Sequence, residues 1–258
     1  KLSKGAGVSL RNPLVIINGS YNDVRMGAEI SSYLKGYNDP RIASYFVKAK
    51  NNGIEGYYAV RTNIPTTDDY LDKAKSSSLN VQDGTPIYIM KASEVYFLRA
   101  EGALRGWNMG GGTAQSYYEK GIATSFEEND LSASQAAAYA ANSTATPANF
   151  VDALHSEYDT PATSTITIKC ETGATNFERN LERIITQKYL AIYPDGQEAW
   201  SEYRRTGYPR IFPAVLTATD CDVDGDLRPM RIPYSNDEYI KNLANVKKAV
   251  QLLHGADN

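Results

Sequence analysis

Histidine and cysteine are the scarcest chemically useful residues in this 258-residue chain, two of each. With only His155 and His254 there is little imidazole for acid–base work or metal binding. Cys170 and Cys221 form no CxxC pair and cannot build a four-ligand zinc site, so a disulfide and two buried thiols both stay open. No basic stripe offsets the formal net charge of −3, which argues against a nucleic-acid partner. No apolar run approaches the roughly 20 residues of a membrane-spanning helix. The familiar catalytic fingerprints are missing as well: there is no G-x-S-x-G, HExxH, Walker or dinucleotide-binding loop. Catalysis therefore has no motif behind it.

Tyrosine is what the chain has in excess, 19 against 6 Phe and 2 Trp. A flat apolar ring with a polar tip suits partly wet surfaces and recognition sites. Residues 1–88 read as loop-rich, with a brief helix over Gly27–Leu34. From Ile89 to Glu128 the pattern turns helical, with Val95, Leu98 and Ala103 at helical spacing. Leu104-Arg105-Gly106 ends that helix, and Thr113 caps a second one from Ala114 to Phe126. Small residues at Ala100, Gly102 and Ala103 allow the two helices a close approach, as in a tetratricopeptide unit.

Residues 129–258 read as a helical C-terminal region. Ser132 and Gln135 make a capping box before Ala136–Ala141, and Thr146-Pro147 opens a helix running to about Tyr158. Thr163–Lys169 alternates like a strand, and Asn176 caps a helix from Phe177 to about Tyr193, with Leu181, Ile184, Ile185, Lys188 and Tyr189 as its core stripe. Asp195 and Glu198 cap a helix from Gln197 to Thr206, closed by Gly207 and Pro209, with Trp200 packed into the core. A last helix starts at a Ser235–Glu238 capping box, carries Tyr239, Leu243, Val246, Val250 and Leu253 on one face, and stops at Gly255.

Several short runs stand in a telling order: Asn12-Pro13-Leu14, Asn38-Asp39-Pro40-Arg41, the Glu94–Gly106 helix, Pro194-Asp195-Gly196-Gln197-Glu198-Ala199-Trp200 through Arg204-Arg205-Thr206-Gly207-Tyr208-Pro209-Arg210, and Arg231-Ile232-Pro233-Tyr234 followed by Glu238. Together they resemble the C-terminal portion of SusD/RagB-like proteins, surface lipoproteins of Bacteroidetes that capture nutrients, usually glycans. The departure is Ser235, where the family has proline. The resemblance implies a mostly α-helical fold with tetratricopeptide-like helix pairs, long irregular loops and minor short strands. It also implies an outer-membrane, cell-surface location and a SusC-like TonB-dependent transporter as partner. Because the match begins where the family would be mid-chain, and Lys1–Gly5 carries neither leader nor lipidation cysteine, a preceding N-terminal part bearing a lipid anchor is expected.

Binding without turnover is the implied function, with an oligosaccharide as the ligand. A peptide-binding member of the same family, an all-α glycoside hydrolase and a tetratricopeptide-type scaffold are the alternatives. Sugar rings stack their C–H faces on aromatics while hydroxyls seek polar partners. Loop aromatics beside such partners are Tyr21 with Asn22 and Asp23, Tyr57 and Tyr58 with Arg61, and Trp107 with Asn108; Tyr57, Tyr58, Arg61 and Trp107 are the chosen ligand residues. Asp220, Asp222, Asp224 and Asp226 match the opening of a calcium loop, although Arg231 stands where the bidentate glutamate belongs. Paired carboxylates for glycoside cleavage would come from Asp195 with Glu198 or Glu202, but capping already accounts for the first two.

Overall fold

The computed structural model describes residues 12–65, 67–171, 176–215 and 231–253. Asp220, Asp222, Asp224 and Asp226, the candidate calcium ligands, lie outside them, as do Cys221 and the Gly255 stop. Eleven α-helices and one small antiparallel sheet are found among the described residues. The chain divides into a large unit, residues 1–61 and 66–212, and a small one, residues 62–65 and 213–258.

In the large unit the chain opens with α1 (Pro13–Ile16), where the Asn12 side chain accepts from the Leu14 amide and Pro13 takes the first helical position. A π-helical turn, Ile17–Tyr21, follows directly. Helix α2 (Ala28–Gly36) buries Ile30, Tyr33 and Leu34. Its end is pressed against the 146–148 backbone: a Cβ on Gly36 would sit 2.2 Å from the Thr146 carbonyl oxygen. Next come α3 (Ile42–Tyr45), the hairpin β1 (Ala49–Asn51) and β2 (Ile54–Gly56), and α4 (Asp68–Leu71).

The expected helix pair is present as α5 (Ala92–Leu104) and α6 (Ala114–Glu127), with the Thr113 hydroxyl accepting from the Ser116 amide. The buried face of α5 differs from the one the spacing suggested. Val95 and Leu98 are exposed, whereas Phe97 and Ala100 are buried in one core with Tyr118, Ile122 and Phe126 of α6. Glu128, just past α6, closes the pair by accepting from the Ser93 amide and hydroxyl at the start of α5. The capping box of Ser132 and Gln135 forms as expected, opening α7 (Ala133–Ala140).

Two expectations fail between α7 and the long central helix. Residues 146–158 do not form a helix, because tertiary hydrogen bonds claim their backbone: Ala148 donates to Ser32, and Phe150 and Thr160 exchange bonds. Only a 3-10 turn, Ser156–Tyr158, is helical there. Residues 163–169 do not form a strand either. Their carbonyls are taken by side chains, Ile166 by Tyr37, Ile168 by Tyr118 and Thr167 by Arg183, so no neighbouring strand has a ladder to join.

Helix α8 (Phe177–Ile192) is buried on several faces, with Leu181, Ile184, Ile185 and Leu190 in the core. Asn176 makes no side-chain cap. Helix α9 (Gly196–Thr206) starts with the Asp195 carboxylate accepting from the Glu198 amide at 3.0 Å and ends on left-handed Gly207, φ 74°. The cap is one-sided, since the Glu198 carboxylate turns to Lys188 instead. The Trp200 ring is half-buried, not fully packed in the core, with the Arg204 guanidinium 4.5 Å from its centroid.

Two ion clusters, the first partly and the second fully buried, tie these helices together. Lys188 of α8 meets Glu94 of α5 at 3.3 Å, Glu198 at 2.6 Å and Glu202 of α9 at 3.1 Å. Arg205 extends the network from Glu202 to Glu101 of α5, which Arg105 also contacts. Burial alone would raise Glu101, but Arg205 and Arg105 outweigh it and hold the carboxyl below its usual value. Glu94, by contrast, is raised by burial despite Lys188. In the second cluster Arg41 forks onto Asp39, donates to Ser125 and Gln187, and lies 5.1 Å from the Phe126 ring centroid. Burial would lower Arg41, but Asp39 outweighs it and the guanidinium stays charged.

In the small unit the single tail helix is split into α10 (Asn236–Lys241) and α11 (Leu243–Leu252). Asn242 breaks the helix with φ −140° while its side-chain amide bonds Glu238. Ser235 makes no side-chain cap, and of the expected apolar face Val246 is buried whereas Leu243 and Leu253 are exposed.

Candidate ligand-binding site

The short elements of the large unit gather into one loop cluster. Asn22, left-handed at φ 60°, turns the chain out of the π-helical turn and leaves Tyr21 66% exposed. That turn is fixed from below. Arg25 donates to the carbonyls of Asn22, Val24, Tyr70 and Leu71, and the Asn22 amide also donates to Leu71. Tyr21 therefore stands on a frame bolted to α4.

Tyr57 and Tyr58 are held to the same frame by main chain. Ser77 donates its amide to the Tyr58 carbonyl at 2.8 Å, accepts the Met26 amide at 2.8 Å, and takes the Tyr58 amide on its hydroxyl at 3.0 Å. The Tyr58 ring folds back over Gly56 with its hydroxyl donating to the Ile54 carbonyl, and Tyr57 packs partly against the core.

A third segment completes the cluster. The Tyr70 hydroxyl of α4 donates to Asp152 at 3.1 Å, and the His155 ring lies 5.5 Å from Tyr70 and 6.1 Å from Tyr158. Burial and Asp152 both push the Tyr70 phenol up, so it remains a neutral donor. Asp152 also accepts the amides of Leu154 and His155, and Asn51 of the hairpin donates to the Ala153 carbonyl. His155 and Tyr158 were missed in the sequence because they fall in the stretch read as a helix. A polar group borders the rings as well: the exposed Glu157 carboxylate lies 3.3 Å from His155. Such a surface of fixed aromatic faces beside polar side chains can stack sugar rings and bond their hydroxyls.

The four chosen ligand residues do not come together. Tyr57 and Tyr58 belong to the cluster. Arg61 is only 5% exposed, turned inward between Glu29 at 3.7 Å and the Phe212 ring at 4.8 Å, so it presents no guanidinium to solvent. Trp107, 62% exposed, stands on the α5–α6 connection, where its ring partner is Arg105, and it is not part of the loop cluster. No group of three or more His, Cys, Asp or Glu side chains suited to a metal occurs among the described residues, and no described helix is long and apolar enough to cross a membrane.

The family model of SusD-like proteins, described as Susd and RagB outer membrane lipoprotein, matches residues 2–258. The chain belongs to the SusD-like family. A SusD homologue from Bacteroides thetaiotaomicron is 43% identical over 96% of this chain and superposes with a TM-score of 0.85. A chitin-binding SusD homologue from Flavobacterium johnsoniae is 41% identical over 98% of the chain, TM-score 0.83. A third, from Bacteroides ovatus, is 37% identical over 95% of the chain, TM-score 0.84. The chain spans 51% of each of these solved structures, about half their length. No curated protein is significantly similar. The helical SusD-like fold and the outer-membrane lipoprotein family are thus the protein's own.

Proposed function

We propose that the protein is a non-catalytic surface binder that captures an oligosaccharide on the loop cluster and hands it to a SusC-like TonB-dependent transporter. The observation that carries this reading is the backbone-fixed set of aromatics, Tyr21, Tyr57, Tyr58, His155 and Tyr158, bordered by polar side chains. Loops whose backbone is already tied down need little ordering on binding, which favours affinity for a flexible sugar chain. The chitin-binding relative supports a glycan as the ligand over a peptide. The carboxylates considered for hydrolysis, Glu198 and Glu202, are spent on Lys188 in the helix network. Trp107 is an additional contact for a longer chain on this reading, and membrane attachment runs through a lipid anchor on the preceding part of the protein.

Titration calorimetry of the full-length protein with chitin oligosaccharides and other glycans, against a peptide panel, tests the proposal. Saturable glycan binding, weakened about tenfold by Tyr21→Ala or Tyr158→Ala at unchanged thermal stability, is expected. Peptide binding without glycan binding would refute it, and so would release of shorter sugars on incubation. Co-purification of a SusC-like barrel with the tagged protein tests the transporter partnership.

A further inference from the structure

Away from the loop cluster, a cavity of about 250 Å³ opens beside the start of α5. Tyr45, Tyr88 and Tyr193 supply ring faces, and Lys91, Asn80, Asn129, Glu128 and Asp130 supply polar groups. Lys91 is 7% exposed, yet no carboxylate lies within ion-pair distance of it among the described residues. Its ammonium instead donates to the carbonyls of Ala191 and Tyr193, each at 2.8 Å, and lies 5.1 Å from the Tyr88 centroid and 5.7 Å from that of Tyr45. An ammonium has three N–H donors, so one is left beyond the two carbonyls. Acceptors are present as well. Asn80 and Asn129 use their amide nitrogens on protein oxygens, leaving their carbonyl oxygens available, and the exposed Asp130 carboxylate accepts no bond from the described residues.

The charge balance restricts the occupant. One ammonium against two carboxylates disfavours an anionic ligand, which would meet Glu128 and Asp130, and the buried ammonium disfavours a cationic one. Ring faces with mixed donors and acceptors fit a neutral polyol. At about 250 Å³ the space falls just under the roughly 300 Å³ lower bound of drug-sized pockets. We infer that this cavity is a second saccharide site, taking a single neutral sugar ring stacked on Tyr88 and bonded by Lys91, Asn80, Asn129 and Asp130. It is independent of the loop cluster and does not rest on the function proposed for it. Burial lowers the Lys91 ammonium to about 8, so it still donates as a cation at neutral pH.

Ligand-observed NMR and calorimetry on the full-length protein test this, with glucose, N-acetylglucosamine, glucuronate and glucosamine as probes. The neutral sugars are expected to bind, and the two charged ones to bind at least about fivefold more weakly. Tyr88→Ala should reduce neutral-sugar affinity about tenfold, and Tyr88→Phe should restore it by keeping the ring. Asp130→Asn, which tolerates the left-handed backbone at φ 57°, should weaken it at unchanged melting temperature. Absence of saturable binding overturns the inference. Glucuronate binding as tight as glucose does so too. If Tyr21→Ala abolishes monosaccharide binding while Tyr88→Ala does not, the sugar sits in the loop cluster and the cavity is no site.

Discussion

Replacing Lys188 by methionine removes the cation at the junction of α5, α8 and α9 while keeping most of the buried stem. Glu94, Glu198 and Glu202, held within 3.3 Å of its ammonium, would then face one another with only Arg205 left on Glu202. Removing one partner of a buried ion cluster leaves uncompensated charge and costs about 3–5 kcal/mol. For a chain of this size each kcal/mol moves the melting temperature by roughly 2–4 °C, so a fall on the order of 10 °C is expected. The pH dependence gives a second readout. Glu94 is already raised by burial, and losing Lys188 raises it further. A carboxyl whose folded pKa exceeds its unfolded value binds more protons when folded, so its contribution is lost as pH rises through the folded pKa. The deficit of Lys188→Met should therefore be largest at neutral pH and shrink toward about pH 5. Urea titrations of both proteins at the two pH values measure it. A deficit under about 1 kcal/mol, or one equal at both values, refutes the reasoning.

Asp39→Asn should cost about 3–5 kcal/mol by stranding buried Arg41, whereas Asp237→Asn, at the exposed Lys241 pair, should cost under about 0.5 kcal/mol; urea midpoints of the two variants compare them directly. Gly36→Ala drives a Cβ into the Thr146 carbonyl at 2.2 Å, and about 1–3 kcal/mol of stability or more should vanish in thermal melts. Lys91 titrates near 8 when folded against 10.5 unfolded, so between those values the unfolded chain binds more protons and the group's contribution rises with pH. Stability of the parent minus that of Lys91→Met should accordingly climb from about pH 7 to about pH 9, and a flat difference speaks against the depressed ammonium.

Local chemistry made part of this fold legible and long-range contacts hid the rest. The α5–α6 pair could be read because Thr113 and the glycine-rich connection are short-range signals, and the Asp195 and Ser132 caps reach only three residues. Thr146-Pro147 carries an equally good helix-start signal, yet Ser32, more than a hundred residues away, takes the Ala148 backbone. On α5 the spacing identified a helix but not its inner face, since Val95 and Phe97 are both apolar and only the packed partner distinguishes them. Arg61 beside two tyrosines read as a ligand contact because Glu29 and Phe212, which hold it inward, are distant in sequence. Lys91 gave no signal at all, its carbonyl partners being a hundred residues downstream.

The Ser77 strap has a consequence for altering specificity. Two of its three bonds run from main chain to main chain, and the third needs only the Ser77 hydroxyl. The side chains of Tyr57 and Tyr58 take no part in it, so exchanging either leaves these three bonds in place and removes only the Tyr58 bond to the Ile54 carbonyl or the partial core contact of Tyr57. The surface is thus a rewritable panel on a fixed mount: a library randomised at Tyr21, Tyr57 and Tyr58 should yield folded proteins whose chosen sugar differs, with melting temperatures lowered only by the lost Tyr58 bond and Tyr57 packing.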